Sequence, residues 1–425
     1  MLNRNNIADV FGIELPDNDN KISEWAAYYD CAPPYLGTDG ISDTIDLAYS
    51  AAHEIARLVT LEFKSDLSDD TSGFDWSRIV SDAPEYTEYA CALGSVMLKP
   101  YFDGQQIVTN YVRADSFFPT AYDSNGEIVG CIFADQLIKG KKFFTRLEYH
   151  RYSGGKYIIT NRAFMSDNAV QLGREISLVS VPEWADIEPE TELENVSFPL
   201  FACLELPARA SVFARALGIF RNADEQYSRL LWEAKATEPA VFADVTVLRP
   251  DDNKKRSKLS RLSNRLFKLL DIGDEKLIKE YAPQIRDASQ INILNAILRR
   301  AEFLCGLAYG TFSDINDTEK TAAEIKASKQ RSYATVSAIQ QNLRKALERY
   351  LIVIGELYSA YDLGKFTAEA SFEFDDSLIT DAETEQKILM QEVSAGLISP
   401  VFYLQRRYGV TEEQALEMLP NTLEE

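Results

Sequence analysis

The stretch from Thr321 to Tyr361 limits what this chain can fold into more than any other. Thr321-Ala-Ala-Glu324 is a capping-box pattern, in which hydroxyl and carboxylate each satisfy an orphan backbone donor at a helix start. No proline occurs over the next 40 residues, and Gly355 is the only glycine. At 1.5 Å per residue this is a rod of roughly 60 Å, twice the diameter of a small domain. From Val336 the apolar residues recur at Ile339, Leu343, Ala346/Leu347, Tyr350, Ile354, Leu357 and Tyr361, in steps of three and four. That is one narrow seam, which Leu351 and Ile352 broaden near its end. The first half carries Lys320, Glu324, Lys326, Lys329, Gln330 and Arg331, with Ile325 as its one large aliphatic. One end therefore packs, and the other is wet or meets a partner.

The 425 residues suggest two to four structural units, and 46% hydrophobic content is ample for their cores. A net charge of −22 argues against a general nucleic-acid binder, because duplex affinity comes from cations meeting phosphates. Cys31, Cys91, Cys131, Cys203 and Cys305 are far apart and lack C-x-x-C spacing, which suits buried free thiols in a reducing compartment. There is no signal-peptide pattern and no run of 18 apolar residues, so the expectation is a soluble, unsecreted chain without a membrane span.

Residues 1–40 read as an irregular arm with a short helix near Ser23–Cys31. A helix capped by Ser42 or Asp43 runs to about Phe63, and another runs from Pro84 to about Leu93, ending at Gly94. From Ser95 to Glu183 short β-rich runs (96–98, 106–109, 128–133, 143–149 and 157–160) are separated by hairpin turns at Asp103-Gly104, Ser124-Asn-Gly126 and Ser153-Gly-Gly155. This predicts an antiparallel sheet unit. An acidic connection at 184–208 leads to a helix from about Ala208 to Thr237, in which Gly218 marks a close approach. Then come a strand at Val241–Leu248, a helix at about Ser289–Tyr309 with Ile291, Leu294, Ile297, Leu298, Ala301 and Leu304/Cys305 on its buried stripe, and a strand at Ala368–Phe374. Three short helices follow: Asp381 to Gly396, Ser399-Pro400 to Gly409, and Thr411 to Leu419. The fold class is α+β.

Chemistry-bearing patterns are scarce. His53 and His150 are the only histidines, and both suit structural roles better than catalytic ones. The pairs Asp69-Asp70, Asp251-Asp252 and Asp375-Asp376 sit in turn-like context as solvated acids or caps. Nucleophile-elbow, P-loop and zinc-protease spacings are absent, so neither catalysis nor a cofactor or metal is expected. The local anomaly is basic: Lys254, Lys255, Arg256, Lys258 and Arg261 lie in a small module between two long helices. Helix, small module, helix, acidic loop, longest helix is the order of a subunit whose helices project from a body as a stalk.

That order resembles the portal proteins of tailed bacteriophages, in particular the minor-capsid-type portals of long-tailed phages. Ala92-Leu-Gly-Ser-Val-Met-Leu-Lys-Pro-Tyr101, Tyr111-Val-Arg-Ala-Asp-Ser-Phe-Phe-Pro119 and Asp123-Ser-Asn-Gly126 are similar to the family's wing sheet. Lys320-Thr-Ala-Ala-Glu-Ile325 and the stretch from Asp381 to Ser399 are similar to its channel helix and C-terminal crown. The resemblance implies residues 1–208 as wing, 209–237 as a first stem helix, 238–286 as clip and 287–308 as a second stem helix. It further implies 309–320 as tunnel loop, 321–375 as the long channel helix with its return strand, and 376–425 as crown. It implies a dodecameric ring at one capsid vertex of the virion, assembled in the host cytoplasm, for DNA packaging and ejection. The implied partners are the packaging motor (terminase), the head-tail connector, the major capsid or scaffold protein, and double-stranded DNA passing without sequence specificity.

A conduit must let DNA slide, and a cation touching phosphate would be repeated around the ring; neutralising even about 6–10 phosphates gives tight, salt-sensitive binding. The loop Gly310–Thr318 obeys that constraint, with Asp314 and Asp317 as its charges, and Phe312 and Ile315 placed to pack between subunits or touch DNA loosely. Lys254, Lys255, Arg256, Lys258 and Arg261 are the candidates for partner docking at the clip. The alternatives are a non-catalytic multimeric helical scaffold or adaptor associating through the 336–361 seam, and an unrecognised enzyme.

Overall fold

A break in helical φ/ψ at Gly94 separates helices from strands. Helix α5 (Ala83–Leu93) stops there at φ +85°, a conformation without steric cost only when no Cβ is present. The chain of the computed structural model is described over residues 2–16, 21–38, 41, 43–68, 74–153, 156–194, 196–237, 240–244, 266–269, 278–281, 287–314, 322–374, 389–408 and 412–419. It divides into two compact units, Met1–Asp19 with His53–Ser211 and Glu319–Glu425, and Asn20–Ala52 with Val212–Thr318. Before α5 lie α1 (Arg4–Phe11), α2 (Lys21–Tyr29), α3 (Leu47–Thr60), β1 (Phe63–Lys64) and α4 (Trp76–Ser81).

In the first unit, β2 (Ser95–Phe102) and β3 (Ile107–Arg113) pair antiparallel, and β10 (Ala202–Glu205) adds to the other edge of β2. A second sheet runs in the order β4 (Phe117–Tyr122), β5 (Ile128–Lys139), β6 (Lys142–Ser153), β7 (Lys156–Ser166) and β8 (Arg174–Ile176), with β9 (Glu190–Leu193) also on β7. All of these pairs are antiparallel, as the alternating pattern predicts. The hairpin chemistry is local: Asp103 Oδ1 accepts the N–H groups of Gln105 and Gln106, and Asp123 Oδ1 those of Asn125 and Glu127, all at 2.8 Å. Pro119 falls on the edge strand β4 beside an irregularity at Pro119/Ala121, where a missing N–H is tolerated. Strands β9 and β10 lie within 184–208, the stretch whose composition reads as a connection.

Two clusters fill the larger sheet. Ile7 of α1 is buried against Phe118, Ile132, Leu147 and Phe164. Trp184, Leu178 and Val181 close over Ala163. Helix α8 (Ala322–Ala360) lies on β10 and β2. Its buried face is Val336, Ile339, Leu343, Ala346, Leu347, Tyr350, Val353, Ile354, Leu357 and Tyr358. Each fully buried Leu or Ile there contributes about 1.5–3 kcal/mol. The expected broadening residue Ile352 is instead 52% exposed, because Val353, three residues after Tyr350, is the position that falls on the seam. The seam's expected last member, Tyr361, lies past the helix end and is 37% exposed. Phe74, Trp76, Phe366 and Phe372 surround Tyr350 and the end of α8. The return strand β14 (Glu373–Phe374) pairs with β1, stacking Phe374 on Phe63 at 5.0 Å.

In the second unit, α6 (Leu217–Ala236) packs on α7 (Asp287–Cys305). Helix α6 starts nine residues later than the sequence suggests, because Ala208 and Arg209 adopt positive φ (62° and 48°). Gln226 Nε2 donates to Gln290 Oε1 (2.5 Å), and Gln290 Nε2 donates to Glu233 Oε2 (2.9 Å), linking the two helices. The buried Asp224 accepts from Tyr35 OH (2.7 Å) and from the Ile45 N–H (2.9 Å), tying residues 35–45 to α6. Strands β12 (Leu266–Leu269), β11 (Ala240–Asp244) and β13 (Ile278–Tyr281) form a small sheet with β11–β12 parallel and β11–β13 antiparallel. The cysteines are free thiols, and Cys31 is exposed, against the expectation that all are buried.

Gly94 makes a close approach to another segment, and Gly218 does not. A Cβ on Gly94 would lie 2.9 Å from the backbone of Arg209 and Ala210, whereas one on Gly218 meets nothing within 4 Å. Gly94→Ala is therefore expected to lose about 3 kcal/mol through overpacking and left-handed strain. Gly218→Ala is expected to gain up to about 1 kcal/mol. Urea denaturation of both variants checks the pair, and equal effects would contradict this placement.

Candidate functional site

The loop after α7 is held by a carboxylate that the sequence pattern does not reveal. The buried stripe of α7 is Asn295, Leu298, Ala301, Glu302 and Cys305, while Ile291 is 42% exposed and Leu294, Ile297 and Leu304 are half-buried. The stripe is rotated from the one expected, because two polar residues turn inward to meet the loop. The helix stops at Gly306 (φ +73°), and the Leu307 N–H reaches back to the Glu302 carbonyl at 2.9 Å with the Leu307 side chain buried. This is a Schellman-type ending. A second left-handed residue, Gly310 (φ +93°), turns the chain back over the helix.

Glu302 is wholly buried, with 0% exposure. Its Oε1 accepts the backbone N–H groups of Gly310 (3.1 Å), Phe312 (2.6 Å) and Ser313 (2.8 Å). The Ser313 hydroxyl lies 3.1 Å from both carboxylate oxygens. A carboxylate taken from water without partners would be very costly, and here converging amides and a hydroxyl take water's place. Two turns earlier on α7, Asn295 Nδ2 donates to Asp314 Oδ2 (3.1 Å), and the Asp314 N–H donates to Asn295 Oδ1 (3.3 Å). The segment 310–314 is thus bolted to α7 at two levels. It presents a half-buried Phe312 and an exposed Asp314. Residues 306–314 contain neither lysine nor arginine.

Of the loop residues singled out from sequence, Phe312 and Asp314 are placed in this way, and Ile315 and Asp317 lie outside the described residues. Lys254, Lys255, Arg256, Lys258 and Arg261 also lie outside them, in the connection between β11 and β12. Those two strands run parallel. Glu302 and Asn295 were missed. The available signal was a polar residue on the apolar stripe of α7 followed, eight residues on, by Gly310-Thr-Phe-Ser313.

The histidines have ordinary structural settings. His53 is exposed and lies 2.8 Å from Glu88. His150 is buried on β6, with Nδ1 2.8 Å from Tyr157 OH and Nε2 2.6 Å from Glu148 Oε1. The Leu200 N–H donates to the same Tyr157 oxygen at 3.1 Å. Burial lowers the His150 pKa below its ordinary 6.5, against the pull of Glu148. Burial by itself would raise Glu148, but Lys99, the His150 hydrogen bond and Arg146 outweigh it and hold the carboxylate well below 4.5. Among the described residues no group of His, Cys, Asp and Glu is arranged to hold a metal ion, and no helix is long and apolar enough to cross a membrane.

Residues 75–425 match the family described as phage portal protein, SPP1 Gp6-like. Among solved structures the chain is similar to one titled "Neck of native GTA particle computed with C12 symmetry", with 10% identity, a TM-score of 0.44 and 98% of each chain covered. No curated protein matches the sequence.

Two outcomes are expected. Glu302→Gln keeps one acceptor oxygen but loses the charge, so hydrogen exchange at the Gly310, Phe312 and Ser313 amides should accelerate by one to two orders of magnitude, about 1.5–3 kcal/mol for bonds to a charged group. Unchanged protection would remove Glu302 as the anchor. Because the folded-state pKa values of His150 and Glu148 both lie below their ordinary values, the unfolded chain binds protons first as pH falls. Stability present above pH 6.5 should decline below it as the unfolded-state histidine protonates, and further below 4.5. His150→Gln should flatten the upper part of that decline in urea titrations at successive pH values.

Proposed function

The chain belongs to the SPP1 Gp6-like phage portal family, and from that premise we propose that it is the ring-forming conduit at one capsid vertex, through which DNA is packaged and later ejected. The observation that carries the proposal is the loop anchored at the end of α7. It is a short, cation-free segment with its backbone donors already engaged by Glu302 and an aromatic side chain left half-buried. A duplex sliding past such a surface meets no repeated phosphate clamp, so it is not held. Phe312 and Asp314, with Ile315 and Asp317 following in sequence, are the proposed channel residues. Lys254, Lys255, Arg256, Lys258 and Arg261 are the proposed docking residues for the packaging motor and, later, the head-tail connector.

The subunit's exposed apolar side chains support a ring of identical copies, dodecameric on this reading. Trp232 on α6 is 71% exposed, and Ile293 and Phe303 on α7 are 50% and 41% exposed. Heterologous contacts that close by rotation cover faces that a single chain leaves open. We assign the two-sheet unit with α8 to the wing, α6 and α7 to the stem, the β11–β13 module to the clip and residues 376–425 to the crown. The role is structural, with no bond made or broken by the protein.

The mass of the purified protein in solution, with negative-stain imaging, tests this directly. The expected particle has the mass of a dozen 47.9 kDa chains and a central hole. A stable dimer or trimer would favour the scaffold reading instead. Phe312→Ala should leave that particle intact while lowering DNA packaging or release by at least about tenfold, roughly 1.4 kcal/mol on the limiting step; an unaffected yield of filled, infectious particles would count against the loop as a channel element.

A further inference from the structure

An open groove of about 730 Å³ runs between α6 and α7, and its lining is one-sided in charge. Arg215, Arg221 and Arg300 stand along it, all exposed. The carboxylate in the lining, Glu225, is already engaged, since its Oε1 accepts from Arg229 Nη2 at 2.5 Å. Arg221 lies over the Tyr35 ring at 5.8 Å, and the Tyr35 hydroxyl donates to the buried Asp224. Setting Arg221 against Asp224 still leaves Arg215 and Arg300, which have no carboxylate partner among the described residues. Arg300 rests over the Phe303 ring at 5.1 Å. Between the arginines the floor is apolar, with half-buried Ile219 and Leu304.

Gly218 opens onto the same groove. It is exposed, it lies within α6, and a Cβ there would meet nothing within 4 Å. Glycine weakens a helix relative to alanine, and no packing within the chain calls for it here. Bare backbone beside cations suits the close approach of another chain. The other end of the helix pair has different chemistry. There Trp232 and Ile293 are exposed beside the Gln226–Gln290–Glu233 links, about 20 Å along α6 from Gly218. That apolar end suits contact between identical copies, an assignment that rests on the ring reading above, and it leaves the basic groove to a different protein.

We propose that the groove docks an extended acidic segment of a partner protein that is not a copy of this chain. The carboxylates of that segment pair with Arg215 and Arg300, whose planar guanidinium groups meet carboxylates through parallel N–H donors. An aliphatic side chain of the segment covers Ile219 and Leu304, and its backbone passes over Gly218. Duplex DNA fits this lining less well. A phosphate backbone has nothing to place on the apolar floor, and two uncommitted cations neutralise too few phosphates for stable binding.

The test is fluorescence anisotropy on the full-length protein at about 0.15 M salt. The probes are a labelled peptide repeating Glu-Glu-Leu, the same peptide with glutamine for glutamate, and a labelled DNA duplex of similar length. Because the chain carries a net charge of −22, its overall field repels the acidic peptide, so binding reports a local site. The acidic peptide should bind at least about tenfold more tightly than its glutamine counterpart. The double variant Arg215→Gln/Arg300→Gln should lose that preference. Gly218→Gln keeps every cation and places a good helix former on α6, yet it should weaken binding by about tenfold because its side chain blocks the approach. No binding of the acidic peptide, equal binding of the two peptides, or undiminished binding by either variant would overturn the proposal. Tighter binding of the duplex than of the acidic peptide would also overturn it, as a nucleic-acid surface. The solution mass of the protein alone separates this proposal from the ring reading. A changed oligomer in Arg215→Gln/Arg300→Gln would place a second copy in the groove and sink the partner assignment. A wild type that forms no ring but binds the peptide as expected would sink the ring reading and leave the docking site standing.

Discussion

Three carboxylates withdrawn from water govern how this chain is tied together. Asp224 and Glu302 are buried, and the Glu148 side chain is only 12% exposed. Asp224 and Glu148 are answered by groups from distant segments or neighbouring strands, and Glu302 by the loop after its own helix. Glu148 is met by cations from β2 and β6 and by His150. Asp224 is met by a tyrosine hydroxyl and a backbone N–H from residues 35 and 45. Glu302 is met by three amides and a hydroxyl of the loop that follows its own helix. Removing one partner of a buried, charge-bearing set costs about 3–5 kcal/mol. Such groups therefore fix segment positions more sharply than apolar contacts, which tolerate small slides.

The anchoring of the α7 loop has a mechanical consequence for the proposed conduit. With Glu302 and Asn295 engaged, residues 310–314 follow α7 as a body, so a displacement of that helix carries Phe312 with it. Coupling of this kind needs no long pathway, because the anchor and the displayed aromatic are ten residues apart and joined by a direct hydrogen bond. The same engagement leaves the amides of Gly310, Phe312 and Ser313 with a resident acceptor, so they do not offer a nest to passing phosphates.

Much of the architecture was legible because it rests on periodicity and turn chemistry. The seam from Val336 to Leu357 repeats at the helical period, and its residues are the ones buried. Asp103-Gly104 and Asn125-Gly126 are turns for reasons contained within a few residues. The candidate site was legible only in part. Its position after a helix and its lack of cations are visible in sequence, while Glu302 looks like any solvated helix acid until the loop folds over it. The stripe on α7 was misread for the same reason, since a polar residue is buried only when a partner from elsewhere arrives. Strand β10 was missed because Ala202-Cys-Leu-Glu205 is too short to show a period and is a strand only by virtue of β2 beside it.

By itself, then, the sequence determined the elements whose causes are local: a long uninterrupted helix, a series of hairpins, a short helix capped by Ser399 near the C-terminus, and an α+β class. Tertiary structure decided everything that depends on two distant segments meeting. Gly94, unlike Gly218, became a point of close approach, because the backbone of Arg209 and Ala210 lies against it. Residues 20–52 joined α6 and α7 instead of the sheets that follow them in sequence. Glu148 and Glu302 became buried charges because their compensating donors were delivered from other strands or from the far side of a turn. Periodicity records which face of an element is apolar. It does not record which polar groups will find partners, and desolvation energy makes that second question decisive here.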